Sequence, residues 1–236
     1  MSMICENDAE QASGSRLLKS DDSSLVKPYE GNFVDLFMKS HWDQRYAGDS
    51  YAYGKEPNHF FRLFIDGLPP GKILLPGEGE GRNAVYAAGK GWHVFALDQS
   101  TEGQRKAMNL AREKGVEIRY DIGDLANIDY PENGFDVVSL IFVHLPPEIR
   151  QDVHAKLISM LRPGGIFHMV AFKPEQLQHQ TGGPRDLRLL YDEALLRQDL
   201  SALIDLWFFH IDSFFEEGPH HLGRFQAIEV QGKAAV

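Results

Sequence analysis

The chain has 236 residues, of which 43% are hydrophobic and 11% aromatic, which suits one globular domain with a real core. Its formal net charge of −10 argues against nucleic acid as the main partner, because phosphate binders carry a basic face. Cys5 is the only cysteine, so neither an intrachain disulfide nor a cysteine-rich zinc site can form.

In chain order, residues 1–28 lack aromatics and are rich in Ser, Asp and Glu, which predicts a flexible tail. The opening "MSMICENDAEQASGSR" has early acids and no apolar stretch, so it does not read as a secretory signal. No apolar run reaches the roughly 20 residues of a bilayer span, so a cytoplasmic protein off the membrane is expected. Residues 29–236 are expected to form a single domain, with 29–70 as a helical cap and 71–236 as an α/β core. "NFVDLFMKSHWDQRYAG" and "EPNHFFRLFIDGL" both space apolar residues as helices do, the second with Pro57 in its first turn.

An alternation follows. "KILLP", "HVFALD", "VEIRYD", "FDVVSLIF" and "IFHMVAF" read as strands, and "FDVVSLIF" is apolar throughout, as a strand covered on both faces should be. "RNAVYAAGKG", "TEGQRKAMNLAREKG" and "PPEIRQDVHAKLISMLRPGG" read as the helices between them, each ended by glycine. Strands alternating with helices predict a doubly wound α/β fold on a mostly parallel sheet. A helix near "LLYDEALLRQDL" precedes "LWFFHIDSFFEEG" and "GRFQAIEVQGK", two strands expected to pair antiparallel and close the sheet.

The turn after the first strand, "PGEGEGRN", has Gly77, Gly79 and Gly81 at every second position. Ligands of such sheets sit at the strands' carboxyl ends, and glycines there let a ligand approach the backbone. A dinucleotide fingerprint wants its third glycine where Arg82 stands. Glu78 and Glu80 also disfavour a pyrophosphate. A cofactor with a cationic amino-acid end and no phosphate fits better, and S-adenosylmethionine is one. Asp98 ends the second strand, where a carboxylate can accept ribose hydroxyls, in this cofactor or in a dinucleotide. Asp124, in "GDL", stands where it can take an adenine amino group while Leu125 packs on the ring; a turn or helix cap is the plainer role for either Asp.

These segments, with "HWDQRYAGDSYAYGKEPNHFF", "LRPGG", "TGGPRD" and "EEGPHHLGRFQA", resemble class I S-adenosylmethionine-dependent methyltransferases, and most resemble the tellurite-resistance and thiopurine branch. The resemblance implies a seven-stranded Rossmann-like sheet with the last strand antiparallel. It assigns Gly77, Gly79 and Gly81 to the cofactor's methionine end and counts Glu78 and Asn83 among the cofactor-binding residues. Asp98 goes to the ribose, Gln99 and Ser100 to its surroundings, and Asp124 with Leu125 to the adenine. It also implies that Arg45 pairs with the methionine carboxylate while Trp42 and Tyr53 pack near the sulfonium, where an aromatic face steadies a cation by about 0.5–2 kcal/mol.

A small-molecule methyl acceptor is implied, with sulfur, selenium or tellurium leading. "FVHLPPE" lacks the Asp/Asn-Pro-Pro-aromatic motif of planar-nitrogen methylation, and Pro146-Pro147 read as the opening of the next helix. His144 and His221 are the candidate catalytic residues, His221 through a family-like Glu-Gly-x-x-His-x-Gly pattern at Glu217–Gly223. The adjacent His220 and His221 lack the carboxylates or cysteines of a metal site, so no metal is expected. "TGGPRD" is expected to lie over the substrate, with Arg185 and Arg188 as surface arginines first and anion ligands second. A nicotinamide-dependent oxidoreductase and a non-catalytic cofactor-binding module remain the alternatives.

Overall fold

The computed structural model describes residues 39–235. The expected tail at 1–28 and the first part of the expected first helix lie outside them. Helices α1 (Lys39–Tyr46) and α2 (His59–Asp66) precede the sheet. Then β1 (Lys72–Pro76), α3 (Arg82–Gly89), β2 (His93–Asp98), α4 (Thr101–Lys114) and β3 (Arg119–Ile122) form the first half. The second half is β4 (Phe135–Ile141), α5 (Pro147–Ser159), β5 (Leu161–Phe172), α6 (Glu193–Asp199), β6 (Leu203–Glu216) and β7 (Leu222–Ala234).

The seven strands lie in the order β3-β2-β1-β4-β5-β7-β6. β1 to β5 are parallel, and β7 inserts antiparallel between β5 and β6. The expected sheet and its antiparallel closing strand are therefore present. Strand order reverses beside β1, between β2 and β4, which opens a crevice at the carboxyl ends of these strands.

Alternation along the strands feeds a core on each face. Ile73 and Leu75 pack with α2, α3 and α4, around Phe61, Ala84 and Leu110. Leu74, Val138, Leu140, Phe167 and Met169 pack on the other face with Leu157 of α5 and Leu196 of α6.

Local chemistry sets the boundaries. Ser100 caps α4 by accepting from the Gly103 N–H, and Gly115 ends it in the left-handed region. The second helix starts later than the sequence predicts. Asn58 accepts from the Phe60 and Phe61 N–H groups as its N-cap, so Pro57 falls before the helix, not in its first turn. "LRPGG" is also corrected: it belongs to the start of β5, because α5 stops at Ser159.

Two buried polar clusters join elements distant in sequence. The His168 ring stacks on Phe64 at 4.0 Å, with Nδ1 2.8 Å from Ser139 Oγ and Nε2 3.3 Å from Glu229 Oε1. Asp199, at the end of α6, accepts from Arg150 Nε at 2.5 Å and lies 3.1 Å from His154 Nδ1, both on α5. Burial works to raise the Asp199 carboxyl, yet the hydrogen bonds from His154 and Arg150 hold it below the usual range. Removing one partner of a buried pair strands the others. Asp199→Ala is expected to lose about 3–5 kcal/mol in urea unfolding at neutral pH. A depressed carboxyl stabilises above its unfolded value, so the difference from wild type should shrink as pH falls below about 4.

Candidate active site

The crevice holds a cavity of about 330 Å³, within the range of small-molecule sites. One end is walled by the turns after β1, β2 and β3, the other by aromatic side chains at the carboxyl ends of β4 and β5.

The turn after β1 is tied to β2: the Gly77 and Glu78 N–H groups donate to Leu97 O at 2.7 and 3.2 Å. The Gly79 N–H donates to Asp98 Oδ2 at 2.9 Å and the Ser100 N–H to Oδ1 at 2.8 Å. These bonds aim a buried carboxylate at the cavity wall. Burial pushes Asp98 up to about 6 even so.

Gly79, Gly81 and Ser100 do not line the cavity; they position what does. Gly81 has φ +86° as the N-cap of α3, and a Cβ there would stand 2.7 Å from Ala107 Cα, so only glycine fits. Ser100 Oγ donates to Asp43 Oδ1 at 2.7 Å, which ties α1 to the start of α4.

The two glutamates, alike in sequence, differ in the fold. Glu78 Oε1 accepts from the Asn83 and Ala84 N–H groups at 2.9 and 2.8 Å, so the protein's own carboxylate fills the anion site of the α3 N-terminus. Burial raises Glu78 to about 7. Glu80 instead pairs with Lys106 at 2.8 Å, both side chains 3% exposed, and accepts from the Ala52 N–H at 2.8 Å. The expectation that both glutamates favour a cationic ligand is corrected: Lys106 neutralises Glu80, and Glu78 alone carries that argument.

Trp42, Arg45 and Tyr53 line the cavity from the cap, with Gln99, Asp124 and Leu125 opposite. Trp42 stacks on Tyr46 at 5.6 Å, and Arg45 Nη1 donates to Tyr53 Oη at 3.3 Å. Asp124 also caps its own turn, accepting from the Ala126 N–H at 3.0 Å. Asn83 lines the cavity too, and its Oδ1 accepts from the Asn58 N–H at 2.9 Å. The sequence reading passed over Asp43, Tyr46 and Tyr120, whose hydroxyl donates to Gly79 O. No motif marks them.

At the aromatic end Phe142, the residue after β4, has φ +56°, a conformation that costs a non-glycine residue about 1–3 kcal/mol and gathers at functional sites. Its ring lies 4.4 Å from Phe172 and 5.2 Å from His221. Leu145, Leu189 and Pro184 complete this wall. Within "TGGPRD", Gly183 and Pro184 thus reach the cavity. Arg185 and Arg188 are exposed and engaged, Arg185 with His179 O and Arg188 with Asp186.

The histidines separate. His144 Nδ1 lies 2.6 Å from Leu189 O, and Nε2 accepts from the Phe172 N–H at 3.2 Å, so neither nitrogen is left for a ligand. His221 is buried on the cavity wall, stacked on Phe215 at 4.3 Å, with Nδ1 3.6 Å from Glu217 Oε2 and without a hydrogen bond, while Nε2 bonds to none of the described residues. Burial lowers both imidazoles to about 4. His220 is exposed. Among the described residues no cluster of His, Cys, Asp and Glu could hold a metal, and no helix is long and apolar enough to cross a membrane.

Glu217 joins the cap, α3 and the hairpin. Oε2 pairs with Arg82 Nη2 at 2.9 Å, and Oε1 accepts from Asn58 Nδ2 at 3.0 Å. Burial would raise its carboxyl, but His221 and Arg82 hold it at about 2.

Residues 73–165 match the model of a methyltransferase domain family. The chain is 25% identical over 160 residues to the 2-heptyl-1-hydroxyquinolin-4(1H)-one methyltransferase of Mycobacteroides abscessus, covering 65% of this chain and 70% of that one. Of other curated relatives, such as a sterol 24-C-methyltransferase of Yarrowia lipolytica (24% identical, 62% of this chain), the match spans about half the length or less, here 41%. The fold superposes on TehB of Haemophilus influenzae with a TM-score of 0.62 at 14% identity, over 83% of this chain and 66% of that one. It superposes equally, at 0.62 and 13% identity, on Haemonchus contortus phosphoethanolamine N-methyltransferase 2 in complex with S-adenosyl-L-methionine, over 84% and 58% of the two chains. The tellurite and thiopurine branch is therefore not singled out.

An imidazole held neutral in the fold stabilises it at neutral pH and costs stability as pH falls from about 6.5 toward its folded value. Glu78 and Asp98, raised by burial, act in the opposite sense over the same range. The test is therefore a difference. His144→Gln should reduce by about one the protons taken up on unfolding between pH 6 and 5, about 1.4 kcal/mol per pH unit, read from urea unfolding at both values.

Proposed function

From a chain that carries a class I S-adenosylmethionine-dependent methyltransferase domain, we propose transfer of the methyl group to a flat, largely apolar small molecule. The observation that carries this reading is the continuity of the cavity. One chamber joins the buried Asp98 carboxylate to the wall of Phe142, Phe172 and His221.

The residues fit the donor. Asp98 accepts backbone N–H groups of Gly79, Ser100 and Gln99, and of its four lone pairs one is left for a ribose hydroxyl. Asp124 and Leu125 take the adenine, and Arg45 the methionine carboxylate. Glu78, already on the α3 N-terminus, takes two of the N–H groups that a pyrophosphate would use, which disfavours the nicotinamide reading. When bound, the donor supplies an electrophilic methyl carbon on a sulfonium, with a neutral leaving group. What remains for the chain is to align the nucleophile and exclude water. The cap closes one side, with Trp42 and Tyr53 as aromatic neighbours for the cation.

The acceptor wall favours an aromatic ring over a naked oxyanion. Phe142, Phe172, Leu145 and Leu189 offer apolar faces, and Arg185 and Arg188 are engaged elsewhere. The relative that acts on a heptyl-hydroxyquinolinone supports the same acceptor class. A sulfur, selenium or tellurium acceptor rests on the family resemblance alone.

Incubation with methyl-labelled S-adenosylmethionine and a panel of hydroxyquinolinones, phenols, thiols, selenite and tellurite tests this reading. Label should enter the planar aromatic acceptors. Preference for selenite or tellurite would replace the acceptor, and no transfer at all would favour a binding module. Asp98→Ala should weaken S-adenosylhomocysteine binding by about 1–3 kcal/mol in calorimetry, the loss of hydrogen bonds to a charged group. Unchanged affinity would remove Asp98 from the ribose.

A further inference from the structure

The wall of the acceptor end contains one base with a free lone pair. Nδ1 of His221 is buried without a hydrogen bond, 3.6 Å from Glu217 Oε2, and Nε2 bonds to none of the described residues. His144, equally near the aromatic wall, has both nitrogens committed. The His221 ring is clamped by Phe215 at 4.3 Å, Tyr53 at 4.5 Å and Phe142 at 5.2 Å, so its plane is fixed. Glu217 is itself held by Arg82 at 2.9 Å, Asn58 at 3.0 Å and the His59 N–H at 3.3 Å. A carboxylate fixed opposite Nδ1 favours the tautomer with hydrogen on that nitrogen and leaves Nε2 bare.

We propose that His221 Nε2 is the catalytic proton acceptor for an acceptor molecule that arrives as a hydroxyl, with Glu217 as the residue that positions the imidazole and Arg82 as its anchor. The inference rests on the reading that the aromatic end holds the acceptor. In the step, the methyl carbon–sulfur bond breaks and its electron pair stays on sulfur, which becomes a neutral thioether. A lone pair of the acceptor oxygen forms the new carbon–oxygen bond. The O–H bond breaks and the proton goes to Nε2, so the positive charge of the sulfonium reappears on the imidazolium. Glu217 faces that new charge at 3.6 Å. The proton then passes to solvent when the product leaves.

The imidazole is neutral before the step, since burial and the nearby Arg82 lower it to about 4. A base that weak suffices because an oxygen that has gained a methyl group holds its proton far less tightly than the free hydroxyl did. The groups that face His221 are Glu217, Arg82, His220, Tyr53 and His144, and protonation of His220 adds only like charge. Activity on a hydroxyl acceptor should therefore fall only well below neutral pH.

The test pairs two probes of similar shape: para-cresol, protonated at neutral pH, and para-nitrothiophenol, already ionised there. His221→Asn should reduce kcat about 100-fold or more on para-cresol and about threefold at most on para-nitrothiophenol. S-adenosylhomocysteine binding by calorimetry checks that the variant is folded. Equal losses on the two probes, or none on para-cresol, would overturn the proposal. A second readout needs no turnover. The imidazole nitrogen spectrum of the wild type should show Nδ1 protonated and Nε2 bare at neutral pH, and Glu217→Gln should shift that balance. A protonated Nε2 in the wild type would overturn the proposal. Should neither probe be methylated, the acceptor reading fails for these molecules, and the nitrogen spectrum alone decides the proton relay.

Discussion

The site depends first on one carboxylate at one helix end. The N-terminus of α3 presents unpaired N–H groups and a partial positive charge at the switch point of the sheet. In a dinucleotide fold that terminus faces a pyrophosphate. Here Glu78, four residues before the start of α3, accepts from the Asn83 and Ala84 N–H groups and occupies the place. The glycine turn can then serve another purpose. Its Gly79 N–H orients Asp98, its Gly81 lets α3 run against α4, and the cavity beyond is left to a donor without phosphates.

Arg82, in the position a dinucleotide fold gives to glycine, extends the same logic to the far end of the cavity. It donates to Tyr53 O at 2.9 Å and pairs with Glu217 at 2.9 Å. The cap segment and the β6–β7 hairpin tip are thereby drawn into one wall. Their backbones meet so closely that a Cβ at Gly218 would stand 2.5 Å from Gly54 N. The His220 N–H donates to Ala52 O at 3.2 Å across the same seam. The Arg82–Glu217 ion pair thus also sets where His221 stands relative to Phe142 and Phe172.

Much of this was legible in the sequence because local rules carry it. The apolar runs of β1 and β4, the Gly115 stop of α4, and the spacing of Gly77, Gly79 and Gly81 each signal their structure within a few residues. What was illegible depends on partners distant in the chain. Nothing near Glu80 announces Lys106, 26 residues on, so its charge looked free when it is not. Pro57 looked like a helix start because a competing cap, Asn58, stands beside it. The motif favours His221 over His144, but nothing near His144 announces Leu189 and Phe172, which take both of its nitrogens. Glu217 was legible only as part of a motif; its four contacts come from α2, α3 and its own hairpin.

The central claim is that this cavity takes an adenosine donor with a cationic amino-acid end and refuses a pyrophosphate. Parallel equilibrium titrations with S-adenosylhomocysteine and with NADH, followed by tryptophan fluorescence in a variant that keeps Trp42 on the cavity wall and has Trp92 and Trp207 replaced by Phe, test it most directly. The account predicts a saturable change with S-adenosylhomocysteine and none with NADH. Saturable binding of NADH, competed by other pyrophosphate-linked nucleotides, would contradict it.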